Sequence, residues 1–98
     1  MMPFRFLEPA TKEMCEAADW YERQTAGMGE AFLGQAQAAA TFIAELPESG
    51  EKLPGGFRRK LLRQFPYALI YKIAREELVI QAVAHLIRRP GYWLRRDR

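Results

Sequence analysis

Three cationic side chains in a row and a fourth close behind, Arg58-Arg59-Lys60 and Arg63, form the first group here able to do chemistry. Planar guanidinium groups meet carboxylates and phosphates in bidentate fashion, so this run suits an anionic partner. Consecutive residues of a strand point to opposite sides, which puts Arg59 and Arg63 on one face and Arg58 and Lys60 on the other. The same charges would also serve a plain edge strand, guarding it against pairing with another chain. The second group is the tail, from His85 through Arg88-Arg89-Pro90-Gly91-Tyr92-Trp93-Leu94-Arg95-Arg96. Arginines interleaved with aromatic rings suit nucleic acid, since rings stack on bases while cations hold phosphates. Alternatively, Tyr92 and Trp93 pack back on the protein and anchor its C-terminal segment. His85 is the only histidine. It reads as a hydrogen-bonded structural residue, although its near-neutral titration leaves acid–base work open.

The remaining chemistry is thin. With a single cysteine, Cys15, no disulfide can form within the chain, and zinc sites built from several cysteines are excluded. Cys15 reads as a buried thiol on a helix, acting as a small hydrophobe. The nucleotide-binding, metalloprotease and hydrolase motifs GxGxxG, GxxxxGK[ST], HExxH and GxSxG are missing. Gly27-Met28-Gly29 and Gly55-Gly56 read as turns. Glu8, Glu13 and Glu22 fall in a helical half and no acidic pair appears among the strands, so a two-metal nuclease is unsupported. No metal and no cofactor is expected.

The elements that must position these groups follow from periodicity. Phe4 to Leu7 reads as a short strand. Pro9 suits the first turn of a helix, and Ala10, Met14, Ala17, Ala18 and Tyr21 then fall on one helical face. That helix should stop near Thr25. Phe32, Ala36, Ala39, Ile43 and Leu46 make the stripe of a second, Ala- and Gln-rich helix, closed by Pro47 and Gly50. Short loops make the two an antiparallel hairpin. Residues 47–56 read as a loop. Phe57 to Phe65 alternates as a strand, and Pro66 marks a turn. Tyr67 to Ala74 and the nearly all-apolar Leu78 to Ala84 complete an antiparallel meander, with Arg75-Glu76-Glu77 between them. Pro90-Gly91 disfavours a regular element in the tail. The order is β-α-α-β-β-β, an α+β fold with a helical hairpin on one face of a mostly antiparallel sheet.

The chain has 98 residues and is 49% hydrophobic, which fits one domain over residues 1–98 and rules out wholesale disorder. Its formal charge of +3 conceals a division. Residues 1–49 carry three basic and eight acidic side chains, a net of −5, whereas residues 50–98 carry twelve and four, a net of +8. Such asymmetry points to an anionic partner for the second half: nucleic acid, an acidic protein segment or a membrane surface. There is no apolar run long enough to span a bilayer and no signal-peptide stretch, so a soluble, cytoplasmic domain is expected.

Several short patterns occur in order: Phe6…Pro9-Ala10, Trp20-Tyr21-Glu22, Gly27-Met28-Gly29…Phe32, Pro47, Arg58-Arg59…Leu61-Leu62…Phe65-Pro66-Tyr67…Ile70-Tyr71 and His85…Arg88-Arg89-Pro90…Tyr92-Trp93…Arg95. Together they resemble the toxins of the RelE/ParE superfamily of bacterial type II toxin–antitoxin systems. The resemblance spans nearly the whole chain, and its implied fold is the one reached above. It implies a growth-inhibiting, plasmid-stabilising toxin held inactive in a hetero-oligomeric complex by a cognate antitoxin, whose flexible, often acidic tail wraps it. The Phe-Pro-Tyr and Tyr-Trp patterns are similar to the ParE-like branch, which implies inhibition of DNA gyrase by binding, without a catalytic set. Arg58, Arg59, Lys60, Arg63, Arg88, Arg89, Tyr92, Trp93 and Arg95 would then bind target or antitoxin. The alternative is a RelE-like, ribosome-dependent mRNA endonuclease, for which Arg59, Arg63, His85 and Tyr92 form the catalytic set. Against that set, the end of the third meander strand offers Gln81 and His85 in place of an arginine. A weak or inactive toxin and a sequence-independent nucleic-acid binder stand as further alternatives.

Overall fold

Leu7 is extended, and the computed structural model, which describes residues 1–96, turns there from strand β1 (Phe4–Phe6) into helix α1 (Glu8–Gln24). Pro9 occupies the first turn, where a missing N–H costs nothing. Glu8 in the first turn and Arg23 in the last complement the helix dipole. Ala10, Met14, Ala17 and Ala18 are buried, and the Thr25 N–H closes the helix on the Tyr21 carbonyl. Helix α2 (Met28–Glu45) follows after three residues and buries Phe32, Ala36, Ala39, Ala40 and Ile43. The helices approach closely at Gly29, where an added Cβ would stand 2.6 Å from the Ala18 carbonyl oxygen. Only a residue without a side chain fits there.

The sheet has five strands in the order β1-β5-β4-β3-β2. Strands β2 (Glu51–Lys52), β3 (Arg58–Leu61), β4 (Tyr67–Ala74) and β5 (Glu77–His85) are antiparallel neighbours, while β1 runs parallel to β5. The helical hairpin supplies the crossover that a parallel pair needs. It covers one face of the sheet over Leu62, Phe65, Leu69, Tyr71, Leu78, Ile80 and Val83. The other face carries a smaller cluster of Phe57, Ala68, Ile70, Ala82, Ala84 and Trp93.

Four expectations change. The loop 47–56 contains β2 and a short 3-10 turn, Pro54–Gly56. Glu51-Lys52 has no alternation to announce it; the pairing rests on Arg59 meeting Glu51 and on Leu53 N–H donating to the Phe57 carbonyl. Strand β3 stops at Leu61 instead of reaching Phe65, because the Gln35 side-chain oxygen takes the N–H groups of Arg63 and Gln64 and bends the chain. Past that bend the period of two is lost, so Arg59 and Arg63 do not share a face. Cys15 is exposed, because it follows Met14 by about 100° around the helix and leaves the apolar stripe. Leu46 lies beyond the end of α2 and is 54% exposed.

Candidate functional site

On the open face of the sheet a cavity of about 310 Å³ lies between β3, the end of β5 and the C-terminal segment. Its floor is Ala68, Ile70 and Ala84, with Trp93 and Leu94 at the side. The small floor residues leave the depth. Arg59, His85 and Arg88 supply its polar rim. Arg59 comes from β3 and is oriented by the Glu51 carboxylate on β2. The Nδ1 of His85 accepts the Ile87 N–H at 3.2 Å, and the ring lies edge-on to Tyr67 at 4.9 Å. That bond assigns the neutral imidazole proton to Nε2.

The wall of the cavity is held by a polar knot that sequence reasoning did not find. Strand β5 carries a bulge: Ile70 faces Ala82 and Tyr71 faces Ile80, which leaves Gln81 extra. The bulge turns the Gln81 side chain under the C-terminal segment, where its Nε2 donates to the carbonyls of Trp93 and Arg96. Because β1 pairs only with Leu78, Val79 and Ile80, the rest of that β5 edge needs other partners. Glu13 accepts the Val83 N–H at 3.0 Å, and Arg96 donates to the Gln81 carbonyl at 3.0 Å. Arg96 and Glu13 pair at 2.7 Å, and Arg88 joins at 3.2 Å. The Arg88 guanidinium also stacks 3.6 Å from the Tyr92 ring. Burial, and then the neighbouring Glu13 carboxylate, push the Tyr92 hydroxyl far above its ordinary range, so it stays protonated. The Glu13 carboxylate raises Arg96 still further above its already high value.

Of the residues singled out by sequence, the structure brings Arg59, His85, Arg88 and Trp93 to one cavity. Arg63 and Lys60 lie instead beside α2, in a groove on the helix side. Arg58 donates to the carbonyls of Glu48 and Gly50, tying down the turn before β2. Trp93 is 8% exposed and packs edge-on to Phe57, so the tail does fold back on the sheet. Arg89 and Arg95 stay exposed. The acid–base set Arg59, Arg63, His85 and Tyr92 is therefore divided among the cavity, the opposite groove and the buried side of the tail. Among the described residues no three His, Cys, Asp or Glu side chains converge as a metal site. Glu13 had one signal: it falls three residues after Ala10 and four before Ala17, a carboxylate on the apolar side of α1. Arg96 had none.

These features define a class: a small α+β protein whose helical hairpin covers one sheet face and whose other face opens a cation-rimmed, apolar cavity. The chain matches the family described as ParE toxin of type II toxin-antitoxin system, parDE, over residues 4–89. It belongs to that family. No curated protein matches it. Among solved structures, a chain of the chromosomal ParDE TA system from P. aeruginosa superposes with a TM-score of 0.66 at 16% identity, covering 88% of this chain and 97% of that one. That similarity carries the fold, with its helical hairpin and mostly antiparallel sheet. No helix among the described residues is long and apolar enough to cross a membrane.

Proposed function

We propose that this ParE toxin is neutralised by a cognate antitoxin through an acidic segment lying in the open-face cavity, and that the freed toxin binds and inhibits DNA gyrase. The cavity itself carries the reading. Its floor is apolar and its rim holds an imidazole and two guanidinium groups, each of which also pairs with a carboxylate outside the lining, Arg59 with Glu51 and Arg88 with Glu13. Such a site takes an apolar side chain flanked by carboxylates. The similar structure comes from a ParDE system, which supports a partner encoded together with the toxin.

Binding is favoured over RNA cleavage because proton transfer needs groups within about 3 Å of one reacting centre. Here Arg63 lines a different groove from Arg59 and His85. Tyr92 keeps its proton, and its hydroxyl is buried near Glu13. The purified toxin is expected to block gyrase supercoiling or trap cleaved DNA at micromolar concentration, and the antitoxin to reverse it. Codon-phased cuts in mRNA after induction, with gyrase unaffected, would establish the endonuclease reading instead.

A further inference from the structure

The floor of the open-face cavity is a cross-strand pair of alanines, Ala68 on β4 facing Ala84 on β5. Strands ordinarily disfavour alanine, and two side by side leave a hollow where larger side chains would close the sheet face. Ile70 and Trp93 complete the buried apolar lining. At the mouth Leu86 and Leu94 keep 47% and 53% of their surface in water. Covering such walls expels water and favours an apolar occupant.

The polar groups around the hollow are donors with spare capacity. Glu51 takes the Nε and Nη2 hydrogens of Arg59, and Glu13 takes a hydrogen of Arg88 Nη1. The remaining guanidinium nitrogens of Arg59 and Arg88 have no acceptor among the described residues. The His85 ring accepts from Ile87 through Nδ1 and so has its Nε2–H to donate. Trp93 is only 8% exposed, and its Nε1–H is buried without an acceptor among the described residues. Leaving such a donor unmatched is costly, and an acceptor carried in by a ligand removes the cost. Because each arginine already shares its charge with a glutamate, the rim suits one negative charge better than the two of a phosphate monoester.

We infer that the cavity is a binding site for a free aromatic monocarboxylate of about ten non-hydrogen atoms, the number its volume holds at about 30 Å³ each. The carboxylate lies among Arg59, His85 and Arg88. The flat ring rests on the methyl groups of Ala68 and Ala84 beside Trp93 and covers Leu86 and Leu94. The inference goes beyond the antitoxin reading and does not depend on it, although a ligand seated there excludes a peptide side chain from the same space.

The test titrates phenylacetate into the purified chain and follows it by proton–nitrogen correlation NMR, in which the Trp93 indole N–H is resolved from that of Trp20. Binding is expected with a dissociation constant of about 1 mM or below, moving the Trp93 indole signal and the amides of Ala68, Ala84 and His85. Phenylacetamide has the shape without the charge and acetate the charge without the ring. Each is expected to bind about fivefold or more weakly than phenylacetate. Ala84→Leu fills the floor and Arg59→Gln removes a rim charge, and each is expected to weaken phenylacetate binding about fivefold or more. Arg59 belongs to an exposed ion pair, so its variant stands in if Ala84→Leu fails to fold. A dissociation constant above about 1 mM, or shifts centred on the Phe42 groove, would overturn the inference. A difference under about fivefold between phenylacetate and phenylacetamide, or between wild type and the folded variants, would overturn it too. None of these outcomes touches the antitoxin reading, which the supercoiling assay decides.

Discussion

Glu13 joins helix α1 to the C-terminal segment through a single carboxylate. It accepts the Val83 N–H, both terminal nitrogens of Arg96 and one of Arg88. The Glu13 and Arg96 side chains are only 13% and 16% exposed, so water screens this pair far less than a surface ion pair. Removing the carboxylate strands a half-buried guanidinium and leaves a strand-edge N–H without its acceptor. Glu13→Ala is expected to cost about 2 to 4 kcal/mol in urea unfolding. Glu13→Gln keeps an acceptor for Val83 and should cost less. A loss under about 0.5 kcal/mol for Glu13→Ala would mean that water replaces the carboxylate at the β5 edge. The same residue shows why a site can hide in a sequence. Its one clue was a helical-wheel position, and its partners lie 70 or more residues away, Val83 and Arg96 among them.

At the scale of elements, the junction between α1 and α2 rests on one side chain. Helix α2 has no side-chain N-cap of its own, because Gly27 stands there in the left-handed region at φ 92°. Glu22 reaches across instead and accepts the N–H groups of Gly27 and Gly29. These bonds, Gly27 first, hold its carboxyl below the ordinary value of 4.5. A depressed pKa contributes stability above the unfolded value, and that contribution fades as pH falls through the folded one. The melting temperature should therefore decline below a pH of about 4.5 more gently in Glu22→Gln than in the wild type, as followed by circular dichroism. Both helices and the two long strands were legible because each shows a sustained period: 3.6 in the stripes of α1 and α2, and β-branched and aromatic enrichment in β4 and β5. What was not legible has no local period. Strand β2 is two polar residues recruited by β3, β3 ends where Gln35 takes its amides, and the Gln81 bulge is visible only once β4 fixes the register. The site followed the same division. Arg59, His85, Arg88 and Trp93 were named from residue type, but their grouping apart from Arg63 depended on a bend 28 residues from the side chain that causes it.

For the whole molecule, the division of charge outlives folding. The acidic hairpin and the basic sheet meet at the Glu13 knot, which neutralises Arg88 and Arg96. Arg59 pairs within its own half, with Glu51. Lys60, Arg63, Arg89 and Arg95 have no carboxylate partner among the described residues, and they surround β3 and the tail. The hairpin meanwhile keeps Glu16, Asp19 and Glu30 exposed. The basic half thus keeps uncompensated cations on the strand and tail that form the proposed docking site. A field of this kind acts mainly on encounter: it orients an acidic partner before contact, and salt screens it over about 8 to 10 Å. The short-range contacts that set dissociation, a filled apolar cavity and close guanidinium–carboxylate pairs, are screened much less. Between about 50 and about 500 mM salt, the association rate with the antitoxin should fall about tenfold or more, while the dissociation rate changes by less than about threefold. Stopped-flow mixing at several salt concentrations separates the two. An association rate indifferent to salt would show that the +8 half does not steer the partner, and that its charge serves the target instead.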